Sequence, residues 1–131
     1  MNSGHAFRGI LFIVLLLCNF SARAETCPAV SEIIERQISK LYEWTVEEGT
    51  TLDDLLSVNR LFSVRIHDNG RFVSCRYTAR KWPVKLDASP EINECHVIQS
   101  GGHWKEVDSG QLVCDDKNLF ACEFRITCDD D

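Results

Sequence analysis

Six cysteines are the most reactive side chains in this sequence. Cys27, Cys75, Cys95, Cys114, Cys122 and Cys128 follow an N-terminal stretch that holds a seventh, Cys18. No Cys-x-x-Cys occurs, so neither a dithiol redox motif nor a zinc knuckle is indicated. An even set in a small exported chain reads instead as a disulfide framework, and the spacing leaves the pairing open. Four of the six fall between Cys95 and Cys128, so the C-terminal part is the more heavily stapled. Cys27 is expected to tie the N-terminal helix to the sheet. Cys95 beside His96 has the composition of a thiol nucleophile and its base, but neighbours on a strand point to opposite faces, and a disulfide is the expected state of Cys95.

The other reactive types are dispersed. His67, His96 and His103 share no helical ligand spacing, and the first and last sit beside turns, where histidines are usually solvated. Glu47-Glu48, Asp53-Asp54, Asp115-Asp116 and Asp129-Asp130-Asp131 are acidic pairs and a run. Catalytic carboxylates must converge on a cleft that separates their pKa values, and adjacent acids in turns or at a chain end usually face water. There is no Gly-x-Ser-x-Gly, no His-Glu-x-x-His, no phosphate-binding glycine loop and no calcium loop. No catalytic residue, metal site or cofactor is assigned. The one basic stretch is Arg76, Arg80, Lys81 and Lys85, interleaved with Tyr77 and Trp82. It is the candidate binding surface, with Trp82 as a stacking platform for a glycan or protein and Trp104 as a second contact residue. The competing and favoured reading is that these cations balance nearby acids and protect a sheet edge.

The elements that must hold these residues follow from patterning. Arg8, the nine-residue apolar run Ile10–Cys18 and Ala22-Arg23-Ala24 form a secretory signal peptide. The run is far shorter than the roughly 20 residues of a spanning helix. Leu17 before Cys18 disfavours a lipoprotein box, so cleavage is placed after Ala24. Residues 25–131 then form one domain. Loss of Arg8 and Arg23, with no acid lost, takes the formal charge from −6 to −8. That acidity disfavours nucleic acid and anionic membranes and suits solubility or a basic partner.

Val30, Ile33, Ile34, Ile38, Leu41 and Tyr42 recur at helical spacing and predict a long helix from Pro28 to about Trp44. Thr51 is the N-cap of a second, short helix, with Asp54 at the position where a capping box prefers Glu or Gln. From Leu61 the period becomes two: Phe62, Val64 and Ile66 alternate with Ser63, Arg65 and His67, and Asp68-Asn69-Gly70 is a hairpin turn. Further strands are expected around residues 73–77, 82–86, 95–99, 103–107, 111–114 and 119–127. Pro83 marks the third strand as edge or irregular. The expected fold is α+β: a long N-terminal helix and a short second one, packed on a disulfide-stapled antiparallel meander of about five to seven strands. Cys75-Arg76-Tyr77 and Cys122-Glu123-Phe124 each place an aromatic two residues after a cysteine, as strands feeding a common core would.

The signal peptide, the start near Cys27-Pro28, the Cys75-Arg76-Tyr77 strand, the Trp104 strand, Cys114 and Cys122-Glu123-Phe124 together resemble small exported cysteine-containing proteins of Gram-negative bacteria, domains of unknown function. The resemblance implies a periplasmic or secreted protein and carries no catalytic residues. The expectation is an exported, non-enzymatic binding protein, in one version an inhibitor of a basic hydrolase. The alternatives are a small secreted hydrolase with a dispersed Asp/Glu/His site and a secreted host-contact factor. N-terminal sequencing of the exported protein is expected to read Glu25-Thr26-Cys27. Its six cysteines should resist alkylation until a reductant is added; a chain retaining Met1, or one with free thiols, would contradict this.

Overall fold

The computed structural model describes residues 24–35, 44–116 and 118–128. The expected signal peptide up to residue 23 and the middle of the expected long helix, residues 36–43, lie outside them. Among the described residues the protein is predominantly β. Its helices are two five-residue segments, α1 (Val30–Ile34) and α2 (Leu52–Leu56). The strands are β1 (Thr45–Val46), β2 (Arg60–His67), β3 (Phe72–Thr78), β4 (Val84–Ala88), β5 (Cys95–Gln99), β6 (Lys105–Asp108), β7 (Gln111–Cys114) and β8 (Phe124–Cys128). No described helix is long and apolar enough to cross a membrane.

The long N-terminal helix is therefore a correction. Among the described residues the helical stripe is used only in α1, where Ile33 is buried, and Glu35 caps the helix. Trp44, the expected last helical residue, leads straight into β1, and Val46 and Thr45 pair with Leu86 and Asp87. β-branched residues at that point are better served by a sheet edge than by another helical turn. The short helix is as expected, and Asp54 completes its capping box: the Thr51 amide donates to Asp54 Oδ2 at 2.9 Å, and the Asp54 amide donates to Thr51 Oγ1 at 3.1 Å.

The strands do not form a simple meander. Six make one antiparallel sheet in the order β1-β4-β3-β2-β7-β6, and β5 and β8 form a separate pair. Sequential neighbours account for β2–β3, β3–β4 and β6–β7, whereas β2–β7 and β5–β8 join distant segments. The expected strand 119–127 is split, because Leu119–Ala121 forms a 3-10 turn and β8 begins at Phe124.

One face of the large sheet is the core. Leu86, Cys75, Val64 and Cys114 stand in register across four strands and are fully buried. The next row holds Ala88, Val73, Ile66 and Leu112. Cys27, Ile33, Val58, Val97, Cys122 and Phe124 belong to the same buried cluster and form its covering layer. The two aromatics placed after cysteines, Tyr77 and Phe124, both end in this core.

Two disulfides fasten the two layers and a third closes the covering pair. Cys27–Cys75 ties the segment before α1 to β3, in line with the expectation for Cys27. Cys114–Cys122 joins β7 to the 3-10 turn, and Cys95–Cys128 links facing residues of β5 and β8. The buried Tyr77 hydroxyl donates to the Pro28 carbonyl at 2.5 Å beside the first bridge.

Two glycines set how closely the layers approach. The amide of Val97 donates to the Gly70 carbonyl at 2.7 Å, and a Cβ on Gly70 would lie 2.3 Å from the Val97 carbonyl oxygen. A Cβ on Gly102 would lie 1.8 Å from that of Ala121. Gly49 also has positive φ, but a Cβ there would meet nothing within 4 Å. Gly49→Ala is expected to cost only the left-handed penalty of about 1–2 kcal/mol. Gly70→Ala and Gly102→Ala add a backbone collision of about 1–3 kcal/mol and should cost about 2–5 kcal/mol in all. Equal urea midpoints for the three variants would refute this account of the layer contact.

Candidate functional site

The second face of the six-stranded sheet collects the polar chemistry. Strand alternation turns Val73, Cys75 and Tyr77 inward and so turns Phe72, Ser74, Arg76 and Thr78 outward on β3. Pairing then selects their companions. Arg76 faces Lys85 of β4 and Ser63 of β2; Ser74 lies between Asp87 and Arg65; Phe72 faces His67. Arg65 pairs onward with Val113, and Val113 with Lys105 at the β6 edge. A bulge between Leu61 and Ser63 alters the expected pattern. Phe62 becomes the extra residue and lies under the Arg76 guanidinium, 6.0 Å from its ring centroid, instead of joining Val64 and Ile66 in the core.

No described segment packs over this face. Ser74 and Val113 are buried by their neighbours, while Arg60, Arg76 and Lys105 are exposed and Arg65, His67, Phe72, Lys85 and Asp87 half-buried. At the centre runs a short hydrogen-bonded chain. Ser74 Oγ donates to Asp87 Oδ1 at 2.6 Å, and His67 Nε2 lies 3.1 Å from the same hydroxyl. A hydroxyl has one proton and a carboxylate only accepts, so Nε2 is the protonated nitrogen and donates to Ser74. The imidazole stacks on Phe72 at 4.3 Å with 6° between planes. Lys85 Nζ bridges Asp87 Oδ2 at 3.8 Å and Glu47 Oε2 at 3.7 Å.

Serine, histidine and aspartate are thus together, but in the wrong order for acyl transfer. A nucleophilic serine gives its proton to histidine, which the carboxylate orients. Here Ser74 donates its hydrogen bond to the carboxylate and accepts one from His67. Ser74 is also only 2% exposed, out of reach of a substrate carbonyl. The arrangement is a strut across β2, β3 and β4.

The residues singled out from sequence do not converge. Arg76 and Lys85 stand on the polar face, whereas Arg80 and Lys81 line a small depression with Asp53 and Asp54 beside α2. The Arg80 amide donates to Ser57 Oγ at 3.2 Å. Hydrogen bonds from Thr51, with smaller contributions from Lys81 and Arg80, hold the Asp54 carboxyl below its usual range. Trp82 is 70% exposed, just before β4. Trp104 lies at the other side of the sheet, before β6. It is half-buried, packs against the core, and donates its indole N–H to the Glu123 carbonyl at 3.1 Å. Trp104 and Trp82 share no surface.

The remaining candidates are local. His103 Nδ1 lies 3.0 Å from Asp116 Oδ2. Cys95 is bridged to Cys128, so the Cys95-His96 neighbours hold no thiolate. An open cleft of about 630 Å³ at the hairpin end of the sheet is lined in part by Arg71, Pro90, Asn93 and His96, and a second of about 360 Å³ shares Arg71 and Pro90. No group of three or more potential ligands is arranged to hold a metal ion among the described residues. The sequence pattern alone does not mark Arg60, Arg65, His67 and Lys105 as members of one surface. The alternation of β2 and β3 contains the signal for Arg65 and His67, but only the strand order joins them to Lys105.

The chain matches no protein-family model, no curated protein and no solved structure. Its chemistry is therefore read from its own geometry.

His67 makes the face pH-sensitive. Burial is the first cause that pushes its pKa down, and Arg65 adds to it; Asp87 and Asp68 oppose, and Lys85 contributes weakly in the same direction as Arg65. An unfolded histidine takes up a proton from about pH 6.5 downward, whereas native His67 resists until lower pH. Its contribution to stability is complete above about pH 6.5 and is lost as the pH falls from there through the lowered native value. Urea unfolding of wild type and His67→Gln between pH 7.5 and 5 should show a steeper decline for wild type; parallel curves would remove His67 as the cause.

Proposed function

We propose that this protein is an exported binding module that works without catalysis and uses the uncovered face of its six-stranded sheet. The observation that carries this reading is the pairing of that face with a rigid frame. Three disulfides and a continuous buried row hold one side, and the other presents side chains over which no described segment packs. Disulfides at this density belong to oxidising compartments, which supports export. The resemblance to small exported cysteine-containing proteins of Gram-negative bacteria points the same way, to the periplasm or the outside of the cell.

Two features weigh against the hydrolase alternative. The Ser74, His67 and Asp87 chain is wired as a strut, and the clefts at the hairpin end are open to solvent. For the inhibitor version, some of the acids among the described residues are already engaged within the chain. The carboxylates of Asp54, Asp87 and Asp116 are engaged by Thr51, Ser74 and His103.

Purified mature protein incubated with chromogenic ester, peptide and glycoside substrates should give no turnover above that of Ser74→Ala. Turnover that Ser74→Ala or Asp87→Asn abolishes, in variants that keep their disulfides and circular dichroism, would overturn the binding-module reading.

A further inference from the structure

We infer that the polar sheet face, over which no described segment packs, is a docking surface for an acidic polysaccharide, carrying sulfate or carboxylate groups, laid across the strands. This rests on the binding-module reading and names its ligand class. The chain as a whole is acidic, yet this face gathers Arg60, Arg65, Arg76, Lys85 and Lys105. Against them stand Asp87 and Asp108 on the face, with Glu47, Asp68 and Asp115 at its border. Lys85 engages both Asp87 and Glu47, and Arg65 Nη1 donates to the Gln111 amide oxygen at 3.2 Å. Arg60, Arg76 and Lys105 are exposed and form no ion pair among the described residues. Cations left without acids in an acidic protein are matched by an acidic ligand.

The spacing of the cations across successive strands suits an extended chain. Lys85 and Lys105 lie four strand spacings apart, about 19 Å, and a seven-residue strand adds about 23 Å in the other direction. The cations are thus spread along a path about 19 Å long rather than gathered at one point. A single polymer crossing the strands would meet cations on β4, β3, β2 and β6 in succession. Arginine forks suit sulfate and carboxylate oxygens, and the Phe62 and Phe72 rings offer apolar footing for sugar faces between them.

The test uses immobilised heparin as the sulfated probe and polygalacturonate as the carboxylated one, with neutral dextran and duplex DNA alongside. Wild type should bind at least one acidic polysaccharide in a salt-dependent way and should not bind dextran. Arg60→Gln/Arg76→Gln should weaken that binding by about 25-fold, taking about fivefold per cation near an anionic surface. Arg80→Gln/Lys81→Gln removes the same charge away from the face and should stay within about twofold of wild type. Both pairs are exposed, so folding is not at risk. Equal weakening by the two pairs, no binding to either polysaccharide, or tighter binding to DNA would overturn the proposal. If binding fails and the turnover assay is also silent, the polysaccharide is wrong and the non-catalytic reading stands; turnover removed by Ser74→Ala would sink both.

Discussion

One buried row organises this protein. Leu86, Cys75, Val64 and Cys114 lie side by side on β4, β3, β2 and β7, and each is fully buried. Two members are cysteines, so the row is also where the sheet is bonded to the layer above. Cys75 reaches Cys27 before α1, and Cys114 reaches Cys122 before β8. Among the described residues, two five-residue helices offer little helix packing. The domain depends on sheet burial, at about 25 cal/mol per Å² of apolar surface, and on bridges that typically contribute about 2–4 kcal/mol each. Placing both in one row makes the register of four strands and the seating of the covering layer a single constraint, since a one-residue slip of β3 or β7 would turn that strand's cysteine to the wrong face.

That constraint also releases the other face. Once the covering layer is fastened to one side, the opposite side holds itself together through its own side chains. The Ser74 hydroxyl, buried between strands, is satisfied by Asp87 and His67. Arg76 lies over Phe62, and His67 stacks on Phe72. These contacts flatten the polar side chains onto the sheet, so the face is ordered, and no described segment packs over it. The same bulge that carries Phe62 out of the core gives Arg76 its aromatic support.

Much of the local structure is legible in the sequence. The hairpin at Asp68-Asn69-Gly70, the second helix starting at Thr51, and the convergence of Tyr77 and Phe124 on the core are all present. The helical periodicity of Val30 to Tyr42 overstates the first helix, because periodicity does not show that Trp44 turns edge-on to Phe124 while Thr45 and Val46 join β4. The last strand is shorter than its apolar pattern suggests. Leu119–Ala121 is apolar, but Asn118 starts a 3-10 turn there by accepting from the Phe120 amide. The cations of the basic stretch are close in sequence without sharing a surface, since the end of β3 sends Arg80 and Lys81 to α2 and leaves Arg76 on the sheet.

The sequence by itself determined a disulfide-dependent chain with alternating strands, because cysteine count and side-chain period are one-dimensional properties. The tertiary structure alone decided which cysteines pair, that β7 lies beside β2, and that β5 leaves the main sheet for β8. Those choices depend on distances between segments tens of residues apart, set by close packing at Gly70 and Gly102 and by the shared buried row. The full cationic face exists only through that strand order, which brings Lys105 of β6 onto the surface that holds Arg60 and Arg76 of the β2–β3 hairpin.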